Sequence, residues 1–327
     1  CIDSKLKKID FLEIDRDKYS NKLEGFWLGQ SIANWTGLIT EMDKIGNIGE
    51  IKTGEFYNRD DWGGKDQPSI WSSETLNDEI KFVFRENGEM WGSDDDTDIE
   101  YMYQYLLNFN DTSILSPNQI RDGWLKHIKS NEENYLWESN QVAFDLMKSG
   151  MKPPETGDPI NNNSYMMIDA QLTTEIFGLL SPSRPDIGLK MAELPIKTTA
   201  RNEAQEIAEF YVIMHSLASN SKEFKSTKET IFWIAKQSRQ HLNDNNYPAK
   251  MYDFTEKLYK SGIKWEDARD SIYQRYQVDQ KDGYNLTSKN LYCNGCFAAG
   301  INFASSLVSL FYGEGDIKET IKIGTLS

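Results

Sequence analysis

Apolar positions along this chain recur with the spacing of helices far more often than with the alternation of strands. Ile99, Met102, Tyr103, Leu106 and Leu107 fall at i, i+3, i+4, i+7 and i+8, one stripe along a helical face. Similar stripes cover 117–130 and 134–149, and the pattern predicts further helices near 165–181, 185–194, 202–218, 227–241, 249–262, 265–278, 290–313 and 316–323. Upstream, Leu23, Phe26, Trp27, Ile32, Leu38 and Ile39 predict a first helix over 19–43, with Gly25, Gly29 and Gly37 inside it. An interior glycine costs a helix about 1 kcal/mol relative to alanine, so three of them suggest close backbone approach or breaks near a site. Residues 150–163 read as a turn-rich connector. Residues 44–93, rich in Gly, Asp, Asn and Trp, read as a long loop with room for one short strand at 80–84. Loops of that length inside a compact domain tend to be functional. The reading is an all-α fold with a long loop in its N-terminal third. A charged lead-in or tether over 1–18 precedes one helical domain over 19–327, and the absence of an internal repeat argues against a solenoid.

Composition narrows what such a domain does. With 39% hydrophobic and 12% aromatic residues in 327, the chain is a globular one with a substantial core. Its formal net charge of −15 repels phosphate backbones, which excludes nucleic-acid binding through a basic face. No apolar run is long enough for a transmembrane segment. Cys1 admits two readings: the first residue of an exported, lipid-anchored lipoprotein with Lys5, Lys7 and Lys8 in its tether, or the edge of a fragment from a longer, cytoplasmic frame. Cys293 and Cys296 form a C-x-x-C without the second ligand pair a Zn site needs, and their flanks read as helix, so both are expected as small core residues.

The chemistry concentrates at 93–100, where Asp94, Asp95, Asp96, Asp98 and Glu100 repel one another unless solvated or bridged by a cation. A Ca²⁺-binding EF-hand loop fails at Ile99, where glycine is needed, and at Tyr105, where a bidentate Glu is needed. Mg²⁺ suits the position better, because a few carboxylates from one turn at a helix start make half of its shell. The competing reading is an acidic N-cap with solvated neighbours.

At these residues the sequence resembles the ADP-ribosylglycohydrolase family. Residues 29–41 are similar to the family's early G-x-x-x-G-D-x-x-G-x-x-x-E pattern, with Gly37 and Glu41 in register, and 94–97 to its T-D-D-T motif. Residues 294–315 and 316–324 are similar to the helix and G-x-x-D segment that precede its second acidic motif. The resemblance implies a compact domain of orthogonally packed helices and a pair of Mg²⁺ ions held by Asp94, Asp95 and Asp96. It also implies that Glu41 activates the attacking water and that the substrate is a small molecule or an ADP-ribosylated one. Two departures stand out: Asn34 occupies the place of the family's Asp, and Ala33 that of the glycine before it. The D-x-D motif is expected just past Ser327: either the domain is truncated at its C-terminus, the favoured reading, or its metal site is completed elsewhere, or this form is inactive.

Other residues are weighed against plainer roles. Asp169 borders the substrate by the same resemblance, or lies on a solvated face; it shares a carboxylate site with Glu175 only if the helix between them breaks, since six residues place them about 240° apart. Asn294, with Gly295, is expected to open the last long helix as a substrate or phosphate contact, or as an ordinary cap. His215 lies on an apolar stripe and is expected as a hydrogen-bonded core residue, while His127 and His241 carry no signal. Trp62, Trp71, Trp91, Phe56 and Tyr57 form either a stacking wall for a ring or loop core. The leading function is Mg²⁺-dependent hydrolysis of an ADP-ribosyl N- or O-glycosidic bond. A metal-independent all-α carbohydrate hydrolase and a non-catalytic ligand-binding surface lipoprotein are the alternatives.

Overall fold

Capping side chains set several of the helix starts. In a computed structural model, which describes residues 13–43, 47–48, 51–52, 55–69, 77, 79–92, 94–129, 135–221, 224–286 and 295–327, Asp15 accepts from the amides of Asp17 and Lys18 and opens α1 (Arg16–Gly37). Asp94 caps α2 (Asp95–Phe109). Ser116 and Gln119 form a capping box on α3 (Pro117–His127), with proline where the missing amide is harmless. After α4 (Glu138–Lys148) and the turns of the connector, the predicted 165–181 helix is two short ones, α5 (Asp169–Thr173) and α6 (Glu175–Leu179), broken at Thr174 with φ −127°. Then follow α7 (Pro185–Ile196), α8 (Asn202–Ser219), α9 (Thr227–Arg239) and α10 (Tyr247–Lys260). Next, α11 (Trp265–Ile272) runs into a π-helical turn at Tyr273–Val278, and α12 (Ala299–Gly313) and α13 (Ile317–Leu326) close the fold.

The protein is all-α, as the periodicity predicts, but four expectations are corrected. First, α1 ends at Gly37 rather than at 43. Residues 38–42 fold into turns whose amides reach back three or four residues, and Met42 is left-handed at φ 61°. Second, 80–84 forms no strand: its backbone bonds go to loop and helix, with Ile80 N to Gly64 O at 2.7 Å and Val83 N to the Thr36 hydroxyl at 3.1 Å. The small antiparallel pair among the described residues lies instead at Asn47–Ile48 and Ile51–Lys52. Third, Gly295 to Phe297 are turn and Ala298 bridges Met167, so the last long helix opens at Ala299 and not at Asn294, which lies outside the described residues. Fourth, Cys296 is disulfide-bonded rather than a free core thiol.

Helix α8 runs through the middle of the packing, against α1, α5, α6, α7, α9, α10 and α12. Its Ile207, Ala208, Phe210 and Val212 are wholly buried, and Phe210 meets Phe303 of α12 edge-on at 5.0 Å. The α6–α8 contact is so close that a Cβ on Gly178 would sit 2.1 Å from Val212 O. His215 is held as expected, its Nδ1 2.9 Å from Tyr211 O and its ring edge-on to Phe26 at 5.4 Å, with burial lowering its pKa. Helix α2 rests on α3, α5 and α6, while α13 rests on α1 and α12. The ends of α1, α2, α5 and α6 are thereby brought to one place. No helix of the described residues is long and apolar enough to cross a membrane.

Candidate active site

Asp94 ties two helices together. One carboxylate oxygen accepts from the Thr97 amide at 2.7 Å, the N-cap bond of α2, and the other accepts from the Asn34 amide group of α1 at 2.5 Å. Asn34 also donates to the Thr97 hydroxyl at 3.2 Å. Glu41 follows on the turn after α1, exposed at the residue level. That turn is pinned from below, because the buried Thr40 hydroxyl donates to Thr325 O of α13 at 2.5 Å. On the other side, Trp35 donates to Gly92 O at 3.0 Å and packs where any side chain on Gly92 would have to go, which fixes the chain just ahead of Asp94.

The break at Thr174 brings Asp169 and Glu175 to this place, the condition under which the two can share a site. Asp169 is buried and accepts from the Asn140 amide at 2.9 Å through Oδ1, which leaves Oδ2 buried and without a hydrogen-bond partner. Below it, fully buried Glu100 of α2 accepts from the Ile176 amide at 2.8 Å and from Gln30 at 2.6 Å, and it hydrogen-bonds Glu175. Two like charges brought together in one buried place raise the cost of ionising both.

Six carboxyls in this group have their pKa pushed up. Burial comes first for Asp95, raised to about 6, with Asp94 and Glu41 adding like charge. Asp96 is driven well above the carboxylate range by burial, then by Asp95, Asp169, Asp94 and Glu175. Burial lifts Asp169 to about 7 against the hydrogen bond from Asn140, and lifts Glu100 to about 7. Glu175 rises well above its usual value through burial and then Glu100, and Glu41 rises through burial and then Asp94. No Lys, Arg or His figures among these causes. Dense negative charge in a low-dielectric place takes up protons or a cation.

Hard carboxylate oxygens, crowded and partly orphaned, are the donor type a divalent ion such as Mg²⁺ prefers, and the set fits in kind. Among the described residues, however, no three of His, Cys, Asp or Glu stand together as a ligand group. Asp94, as placed, is committed to Asn34 and Thr97.

A family model described as ADP-ribosylglycohydrolase matches residues 15–325, nearly the whole chain. The chain belongs to that family. This ADP-ribosylglycohydrolase is accordingly a glycosidic-bond hydrolase acting on ADP-ribosyl-type linkages in a small-molecule or ADP-ribosylated substrate. No curated protein and no solved structure matches it.

Of the residues singled out from the sequence, Asn34, Glu41, Asp94, Asp95, Asp96 and Asp169 come together, while Asn294 lies outside the described residues. Sequence reasoning passed over Gln30, counted Glu100 only as one of the acidic run, and admitted Glu175 only on condition of a helix break. Glu100 was detectable, since it falls at i, i+3 and i+7 with Tyr103 and Leu107 on the face that is buried. His241, unremarkable in sequence, sits with Nε2 2.6 Å from Glu209, which raises its pKa. The aromatic loop serves as packing where it is described: Tyr57 is buried, Trp62 meets Phe82 at 4.8 Å, and Phe56 meets Tyr273 at 5.0 Å. Trp71 lies outside the described residues.

Proposed function

We propose that this chain hydrolyses an N- or O-glycosidic bond to ADP-ribose with Mg²⁺ held by Asp95 and Asp96, with Asp94 beside them. When bound, Mg²⁺ supplies positive charge that polarises the ribose oxygens and favours deprotonation of water. Asn34 holds Asp94 in place, and Asp169 backs Asp96 from α5. Glu41, exposed at the mouth with its proton affinity raised, takes the proton from the attacking water as the bond to the leaving group breaks. One observation supports this reading above the rest: four carboxyls from three separate segments crowd Asp96, and no cationic side chain is among the groups acting on it.

The decisive experiment follows release of free ADP-ribose from an N-linked and an O-linked model compound, in Mg²⁺ and in EDTA. Turnover is expected only in Mg²⁺. Asp95→Asn and Asp96→Asn should lower kcat/KM by roughly 10²-fold or more, and Glu41→Gln by about 10²–10⁴-fold. Undiminished turnover in EDTA would overturn the reading.

A further inference from the structure

Glu41 does not sit on a helix. It stands on the turn after α1, where its amide reaches Gly37 O at 3.1 Å and Met42 beside it is left-handed. A general base acts only within about 2.6–3.2 Å of the proton it takes, and a misplacement of about 1 Å can cost roughly 10²-fold. Whatever fixes this turn therefore bears on the rate.

The turn is held on both sides of Glu41. Thr40, just before it, is buried, and its hydroxyl donates to Thr325 O of α13 at 2.5 Å. Asp43, two residues after it, is buried too, and its Oδ2 accepts from the Tyr57 hydroxyl at 2.7 Å. Both lines lead to one side chain. Arg269 of α11 divides Nη1 between Tyr57 O and Leu326 O, the latter at 2.9 Å and next to Thr325. Its Nε and Nη2 each stand 2.9 Å from Asp270 Oδ1, and the rings of Phe56 and Trp265 lie 4.9 and 5.2 Å from the guanidinium. At 7% exposure Arg269 has given up most of its hydration, and these carbonyls, the carboxylate and the ring faces replace it. Such an enclosure suits a planar fork, which a lysine ammonium does not reproduce.

Resting on the role given to Glu41 above, we propose that Arg269 is a positioning residue for the hydrolysis. It clamps the last turn of α13 to Tyr57, and these two hold Thr40 and Asp43, so that the Glu41 carboxyl is kept at the reacting centre. Arg269 acts on the rate through Glu41.

A double-mutant cycle on the full chain tests this, read as kcat and KM for ADP-ribose release in Mg²⁺. Arg269→Lys should lower kcat by about tenfold or more while KM changes by less than about twofold. In a Glu41→Gln background the same substitution should lower kcat by less than about twofold, because the group it positions is already gone. Equal losses in both backgrounds overturn the proposal, since a merely structural arginine weakens both forms alike. Thr40→Val and Tyr57→Phe each remove one hydroxyl from one line and decide the matter if Arg269→Lys does not fold. Each should lower kcat by about threefold or more only where Glu41 is present, and Thr40→Ser, which keeps the hydroxyl, should retain wild-type kcat. Wild-type kcat in both hydroxyl variants overturns the proposal as well. If Glu41→Gln alone leaves kcat intact, the role of Glu41 fails and that of Arg269 with it. A large loss in Glu41→Gln with additive loss from Arg269→Lys removes the role of Arg269 only.

Discussion

Asn34 stands 2.5 Å from Asp94, and the pair replaces one that the family resemblance gives as Asp at the first position and Thr at the second. Both departures have one physical meaning. A Thr at 94 would be able to donate to an Asp at 34; here Asn34 donates to Asp94, so donor and acceptor are exchanged between the helices. Asn34→Asp alone should therefore set two carboxylates against each other. The expected result is a loss of about 1–3 kcal/mol in urea denaturation and at least a roughly tenfold fall in kcat/KM. Combining it with Asp94→Thr should recover most of the stability, and a double variant no more stable than the single one would contradict the exchange. Reading residues one at a time exposes each departure, but only the distance joins them.

At the scale of elements, the site depends on a helix that breaks. Apolar periodicity predicts one helix across 165–181, and along it Asp169 and Glu175 would face apart. Thr174 leaves helical geometry because its hydroxyl donates to Ala170 O at 2.7 Å while the Ile176 amide is taken by Glu100 at 2.8 Å. A carboxylate 76 positions upstream captures an amide at the start of α6, and nothing local in the sequence encodes that. The glycine at 178 shows the same dependence, since its Cβ would meet Val212 O of α8. Gly178→Ala should destabilise the protein by about 2–4 kcal/mol, as overpacking against backbone does, seen as a lower urea midpoint. It should also impair hydrolysis by shifting Glu175. A variant with wild-type midpoint would show that α6 and α8 are free to separate.

For the whole molecule, the raised carboxyls govern how stability varies with pH. Asp95 and Asp43 at about 6, and Asp169 and Glu100 at about 7, bind protons more tightly when folded than at their ordinary 3.8 and 4.5. Native protein therefore holds more protons than unfolded chain between about pH 4 and 7, and stability falls as pH rises through that window. In EDTA the urea midpoint at pH 5 should exceed that at pH 8. A saturating divalent cation, binding the ionised forms, should raise the pH 8 value and narrow the gap. Equal midpoints at both pH values in EDTA would mean these groups are solvated. The formal charge of −15 acts in the same direction, since fewer negative charges repel less.

Periodicity alone was enough for the helical class, because burying one face of a helix leaves a 3.6-residue signature that no distant contact has to supply. The acidic turn at 94–96, the Glu41 register and the family were legible for a similar reason: each is a short run of adjacent residues. What the fold decided is how those runs meet. The end of α1 at Gly37, the break at Thr174, the burial of Glu100 and the closing of Arg269 on Tyr57 and Leu326 all arise from contacts between residues far apart in sequence, where the energy of one carboxyl depends on which others share its dry surroundings.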